Sequence, residues 1–444
     1  MYPFAIAARR RYSRSRARAP RTAQLLQTKR NRESHGVAAT SYFACRNDNS
    51  GSRRQTGGLD HGLSFVIPIS FVVDLRQHFR FCLFYLRENT MQYATITGWG
   101  KCVPPATLTN DDLATFIETS DEWIKSRTGI SQRHISHVNT SELASVAAKR
   151  ALAAAGIDGS EIDMIILASA SPDTLIPNIA STVQANIGAS CAAFDINAAC
   201  SGFLYGLGLA SSQIKSGQCK KVLVVGAERL SFYLDWSRRE TAVLFGDGAG
   251  AVVVEATDVP GGVLGYELNN DPDGRDILKA GFGTAMDRFS AESLDFYIQF
   301  DGQEIFKRAI NGMNKLSTQV LEKCGVDKDE VDLVIPHQAN ERIIDTLVSR
   351  MKIPKEKAFV NIANYGNTSA ATIPIAICDA LEKGLIKPNQ TILSCAFGAG
   401  LTSAALLLQW GERVTPVQVS DAQLPPCELS GIELVKRAVD YFCK

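Results

Sequence analysis

The chain is predicted to be an α/β protein assembled from two pseudo-equivalent halves, and three observations predict it. A long pattern occurs twice: Gly156-Ile-Asp-Gly-Ser-Glu-Ile-Asp-Met-Ile-Ile-Leu167 and Gly325-Val-Asp-Lys-Asp-Glu-Val-Asp-Leu-Val-Ile-Pro336 match in Gly, Asp, Glu and Asp, position by position. The next apolar run keeps the same offset, since Val222-Leu-Val-Val-Gly-Ala-Glu228 stands to Thr391-Ile-Leu-Ser-Cys-Ala-Phe397 as Gly156 stands to Gly325. The strand-like runs are also continuously apolar and alternate with helical patterns, as parallel strands covered on both faces require. Layers of sheet and helix follow.

The first ninety residues stand apart from this pattern. They hold 16 Lys and Arg against 5 Asp and Glu, which leaves 31 against 41 for the rest of the 444 residues. The Arg-, Ser- and Ala-rich stretch from Arg9 to Arg30 has the composition of a transit peptide, and equally of a translated upstream region. With no sustained amphipathic period and no clear cleavage site, the second reading is preferred, with a natural start at Met91. The apolar patch from Leu63 to Leu86 is broken by Pro68, Asp74, Arg76 and Arg80, so no membrane segment is expected. An acidic body gives no electrostatic ground for nucleic-acid binding. The expected divisions are a head at 1–90, a first half at 91–260, a second half at 261–410 and an extension at 411–444.

From Met91 the residues alternate as a first strand should, and a helix is expected over Ser141 to Ala155. Ala193-Phe-Asp-Ile-Asn-Ala-Ala-Cys200 then runs from a strand into Ser201-Gly-Phe-Leu-Tyr-Gly-Leu-Gly-Leu-Ala210, a helix apolar enough to be buried. Cys200 therefore begins a helix, where the positive end of the dipole is expected to lower its pKa and favour the thiolate. Eleven cysteines, an odd number without C-x-x-C spacing, argue against a disulfide framework and a metal site and for a reducing compartment. The glycines of Phe245-Gly-Asp-Gly-Ala-Gly250 lack the spacing of a phosphate loop and are read as close packing.

In the second half a helix is expected over Ile305 to Lys323. His337 ends a strand in Val334-Ile-Pro-His-Gln-Ala-Asn340, and Asn367 ends another, separated from Cys200 by the repeat offset to within two positions. That spacing brings Cys200 and Asn367 to symmetry-related turns. Phe397-Gly-Ala-Gly400 follows a strand end, where its backbone N–H groups are free to face an oxyanion. Beyond Trp410, Leu429 to Phe442 reads as an amphipathic helix.

These residues resemble the thiolase superfamily, and within it β-ketoacyl-acyl-carrier-protein synthase III. The motifs are Thr119-Ser-Asp-Glu-Trp-Ile-Lys-Ser-Arg-Thr-Gly129, Ala198-Ala-Cys-Ser-Gly-Phe203, Phe245-Gly-Asp-Gly-Ala-Gly250, Pro336-His-Gln-Ala-Asn340 and Gly366-Asn-Thr-Ser-Ala370, spread from Met91 to about Gln409. The resemblance implies a layered αβαβα thiolase-like fold and a catalytic triad of Cys200, His337 and Asn367. It implies that Cys200 takes an acyl group from an acyl-CoA primer, and that malonyl-acyl carrier protein then decarboxylates and condenses with it. No cofactor is implied. His337 and Asn367 would donate to the enolate oxygen, and the backbone N–H groups of Cys200 and Ala399 would hold the tetrahedral intermediate. Trp123 and Arg127 would sandwich the CoA adenine, with Thr128 beside them and Arg239 at the entrance, while Arg342 would dock the carrier protein. A homodimer in the cytoplasm is implied, or in an organelle if the head is a transit segment.

The chain departs from the family pattern where an acyl-pocket Phe is common, because Ile176 stands there before Pro177. A degradative thiolase would need a cysteine where Ala396 stands; Cys395 is one residue off and faces the other side of a strand. The alternatives are a related condensing enzyme using longer acyl-CoA for a polyketide or other secondary product, and a thiolase-fold binding subunit without catalysis.

Overall fold

The four repeated polar and glycine positions have the same local work in both halves. Gly156 and Gly325 end helices in the left-handed conformation, at φ 74° and 67°. Asp158 with Glu161, and Asp327 with Glu330, form capping boxes on short 3₁₀ turns. Asp163 then accepts the backbone N–H groups of Lys220 and Lys221, and Asp332 that of Thr391, tying each turn to the neighbouring strand.

The structure is a computed structural model that describes residues 92–281, 284 and 296–443. The head at 1–90 and the start at Met91 lie outside those residues. The strands of the two large sheets are β1 (Tyr93–Cys102), β2 (Met164–Ala168), β3 (Ala192–Ile196), β4 (Lys221–Arg229), β5 (Asp247–Thr257), β6 (Gly262–Asn270), β7 (Leu333–Val334), β8 (Thr391–Gly398) and β9 (Thr402–Gln409). The principal helices are α1 (Asp121–Thr128), α2 (Thr140–Ala155), α3 (Ile179–Ile187), α4 (Gly202–Lys215), α5 (Gly302–Cys324), α6 (Glu341–Met351), α7 (Thr372–Glu382) and α8 (Gly431–Phe442).

One sheet has the order β1-β5-β4-β2-β3 and the other β7-β8-β9-β6. Strands β2 and β4 pair in parallel, and β4–β5 and β5–β1 antiparallel. The second sheet repeats this sequence of senses through β7–β8, β8–β9 and β9–β6. Where the first sheet continues to β3, the second has a single parallel bridge, Val334 to Ala358.

The absence of a polar face on the strands now has its cause. Along β4, Val222 and Val224 point into a central layer with Phe203 and Leu207 of α4 and Ile373 and Ile377 of α7, whereas Leu223 and Val225 point outward onto Leu143, Ala147 and Ala151 of α2. In β8, Ala396 joins the central layer and Cys395 the outer cluster with Met313 and Val320 of α5. The five layers are thus α2 and α3, the first sheet, α4 and α7, the second sheet, and α5 and α6. This is the thiolase-like αβαβα arrangement. The close approach of α7 to the first sheet needs a small residue on β5: a Cβ on Gly250 would come 2.7 Å from Pro374 Cβ and 2.9 Å from Ile375 N. Among the described residues no helix is long and apolar enough to cross a membrane.

Candidate active site

The first half delivers Cys200 through a strained turn. Strand β3 ends at Ile196, Ala199 adopts φ 46°, and a 3₁₀ turn at Ala199–Ser201 leads into α4. Thr402 Oγ1 donates to the Ala198 carbonyl at 2.8 Å, and the end of β8 approaches so closely that a Cβ on Gly398 would lie 2.7 Å from Cys200 N. Cys200 is 9% exposed, and burial pushes its thiol up to about 12. Contact with Ser369 pulls in the opposite direction, while the Glu228 carboxylate pushes further up. The expected thiolate is therefore corrected. Desolvation is the largest influence on the thiol and raises its pKa, so the nucleophile rests as a thiol.

His337 leaves the strand β7 layer with its backbone N–H on Cys395 O at 2.8 Å. Its Nδ1 lies 2.7 Å from Thr372 Oγ1, at the start of α7. Burial, with no charged partner, pulls the imidazole down to about 3, so it is neutral at working pH. Asn367 is held by its backbone, which donates to Leu244 O at 2.8 Å and accepts from Gly246 N at 3.1 Å. Its Oδ1 accepts the Ser369 N–H at 2.8 Å, which leaves the amide NH₂ as the end available to a ligand.

The symmetry argument from spacing holds for the turns but not for the residues. Asn197 Oδ1 accepts Ala199 N–H at 3.1 Å, in the same Asx geometry that joins Asn367 to Ser369. Ala199 and Ser369 share positive φ, 46° and 50°. The mate of Asn367 is therefore Asn197, and the position matching Cys200 holds Ala370.

Cys200, His337, Asn367 and Ala399 line one pocket of about 670 Å³, together with Trp123, Arg127, Thr128 and Arg342. Arg342 is exposed at the first turn of α6, and its backbone N–H is taken by Asn340 Oδ1. Arg127 and Arg239 place their guanidinium carbons 5.0 and 4.4 Å from the Trp123 ring centroid. Both cations stack on the indole face. Thr128 lines the pocket beside them. Its hydroxyl donates to Ile124 O at 2.7 Å and accepts from Ile130 N–H at 3.1 Å, which ties it to the end of α1.

Ile176 does not close this pocket within the chain. It is 89% exposed beside exposed Leu175, on the loop between β2 and α3, and is not among the residues lining the pocket. The walls come instead from Leu230, Tyr233, Phe245, Ile298, Phe306 and Ile343. Sequence reasoning missed these, together with Thr372, Ser369 and Glu228. Glu228 left a usable signal, a carboxylate ending an apolar strand. Fully buried, it accepts Ala170 N–H at 3.1 Å, Ser169 Oγ–H at 3.3 Å and Ser171 Oγ–H, and burial raises its pKa.

The family model for 3-oxoacyl-[acyl-carrier-protein] synthase III matches residues 194–272, and that for the C-terminal part of the same enzymes matches residues 321–410. The beta-ketoacyl-[acyl-carrier-protein] synthase III 2 of Vibrio cholerae is 58% identical over 357 residues, 80% of this chain and 98% of that one. The synthase III of Roseiflexus castenholzii is 45% identical over 324 residues, 72% of this chain and 98% of that one. The crystal structure of the Aquifex aeolicus synthase III superposes with a TM-score of 0.68 at 46% identity, covering 71% of this chain and all of that one (100%). A pocket uniting a buried thiol, a neutral imidazole and an oriented amide, inside this fold and at this identity, places the chain in the β-ketoacyl-[acyl-carrier-protein] synthase III family of condensing acyltransferases.

Proposed function

We propose that the enzyme opens type II fatty acid synthesis by a decarboxylating Claisen condensation, with Cys200 as acyl carrier. The convergence of Cys200, His337 and Asn367 on one pocket supports the reading most strongly. In the first half-reaction the Cys200 thiol loses its proton as sulfur attacks the acyl-CoA carbonyl carbon, the carbon–sulfur bond to CoA breaks, and CoA departs as a thiol carrying that proton. The backbone N–H groups of Cys200 and Ala399 receive the oxyanion. In the second, malonyl-acyl carrier protein loses CO₂, and the electron pair of the broken bond becomes an enolate. The Asn367 NH₂ and a His337 ring N–H stabilise the enolate oxygen without becoming charged; the enolate carbon attacks the acyl carbonyl carbon, the carbon–sulfur bond to Cys200 breaks, and Cys200 leaves as a thiolate that takes a proton from water to restore the thiol. The product is a 3-oxoacyl-acyl carrier protein.

Trp123, Arg127 and Arg239 hold the CoA nucleotide, and Arg342 at the mouth offers the acidic carrier protein a local positive contact. A homodimer accounts for two otherwise exposed features, the Leu175-Ile176 pair at 63% and 89% exposure and the outer edge of β3. The reducing setting implied by the cysteines favours the cytoplasm.

Intact-mass measurement after incubation with acetyl-, octanoyl- and longer acyl-CoA tests the carrier: the adduct should map to Cys200 and vanish in Cys200→Ser. An adduct on another cysteine overturns the assignment. His337→Ala and Asn367→Ala should still acylate but release CO₂ from malonyl-carrier protein about a hundredfold more slowly. Undiminished release from both removes them from the reaction.

A further inference from the structure

The segment after Trp410 crosses the outer face of the first half before forming α8. Val417 and Gln418 N–H groups donate to Ala154 O and Ala153 O, each at 3.0 Å. Arg150 donates to Ala422 O through Nη2 at 2.9 Å, and His137 Nε2 lies 2.8 Å from Pro425 O. Ser430 and Glu433 then cap α8 in a reciprocal box, and the helix buries Val435 while laying Ile432, Leu434 and Ala438 on a cluster that also contains Trp123, Tyr233 and Ile298.

At the far end of α8 a row of rings leads back to the pocket. The Phe442 ring meets Tyr297 edge-on at 4.8 Å between centroids, Tyr297 meets Phe296 at 5.0 Å, and Phe296 meets Tyr233 at 5.5 Å. The Tyr233 carbonyl accepts the Ile298 N–H at 2.9 Å, and both residues line the pocket that contains Cys200. Phe442, Tyr297 and Phe296 are half-buried and Tyr233 is buried, so the row runs from the surface to the pocket wall and each ring is held by the rings beside it.

We propose that α8 is a specificity element and that Phe442, acting through Tyr297 and Phe296, is a positioning residue that sets the width of the pocket wall at Tyr233 and Ile298 and thereby the acyl-chain length accepted. The proposal rests on the acyl-CoA reading above. Removing the Phe442 ring lets the row relax outward, so longer primers gain relative to acetyl.

The test compares kcat/KM for acetyl-, octanoyl- and dodecanoyl-CoA in the full chain, its Phe442→Ala, Tyr297→Ala and Phe442→Tyr variants, and the double alanine variant. The ratio of long to short primers should rise by about threefold or more in either alanine variant, stay near the parent value in Phe442→Tyr, and rise no further in the double variant. A smaller change in both alanine variants, with acetyl transfer to Cys200 retained, overturns the role of α8 and leaves the acyl-CoA reading intact. Absence of Cys200 acylation by every thioester in the parent enzyme overturns that reading instead. If Phe442→Ala does not fold, Phe442→Leu and Tyr297→Ala give the same ratio.

Discussion

The Nδ1 of His337 and the Oγ1 of Thr372 lie 2.7 Å apart, and the same hydroxyl lies 2.9 Å from the Ser369 carbonyl. One proton serves two acceptors. When the hydroxyl donates to Nδ1, the ring proton must sit on Nε2, the form that can donate to an enolate; when it donates to Ser369, Nδ1 is itself the donor and Nε2 is left with a lone pair.

Thr372→Val removes that control. We predict that malonyl decarboxylation falls roughly 10- to 100-fold, as the loss of a buried hydrogen bond worth about 1–3 kcal/mol implies, while acylation of Cys200 survives. Thr372→Ser should recover most of the rate. Paired measurement of CO₂ release and acyl-enzyme mass checks this, and equal loss in the Val and Ser variants would remove the hydroxyl from the argument.

The raised thiol pKa has its own signature. Burial pushes the Cys200 thiol up to about 12. Its alkylation rate is therefore expected to climb about tenfold per pH unit between pH 7 and 9. A plateau at or below pH 8 would show that the helix end, rather than desolvation, governs the thiol.

Gly398 permits the approach of β8 to the nucleophile turn. Its missing Cβ would stand 2.7 Å from Cys200 N and 3.1 Å from Ala199 Cβ. Gly398→Ala is predicted to displace Cys200 and slow its acylation by about a hundredfold, since small misplacements at a reacting centre carry that penalty. Circular dichroism should remain native. Normal acylation by this variant would place the contact outside the site.

The neutral His337 predicts an acid limit on stability. Its folded pKa is about 3 against about 6.5 unfolded, so the unfolded chain binds more protons between those values. Stability is complete above pH 6.5 and falls as pH drops from 6.5 towards 3, by at most ~1.4 kcal/mol per pH unit from this one group. Denaturant melts should show a shallower acid slope for His337→Asn, and identical slopes would assign the loss to other groups.

What was legible in the amino-acid order is what depends on near neighbours. Gly156 and Gly325 end helices, Asp158 and Asp327 cap turns, and Glu161 and Glu330 close boxes within three residues, so each leaves its mark wherever the pattern repeats. The continuous apolar strands, the αβαβα layering and the three polar groups at strand ends follow from such local rules together with the family motifs. Tertiary structure alone decided that Cys200 rests protonated, that the mate of Asn367 is Asn197, that the Thr128 hydroxyl bonds Ile124 and Ile130 and that Ile176 is exposed. It alone carries Phe442 to the ring of Tyr297 and so to the pocket wall. The physical reason is range: caps and periodicity act over one turn of chain, whereas desolvation and ring packing depend on every segment folded against the group, however distant in the chain.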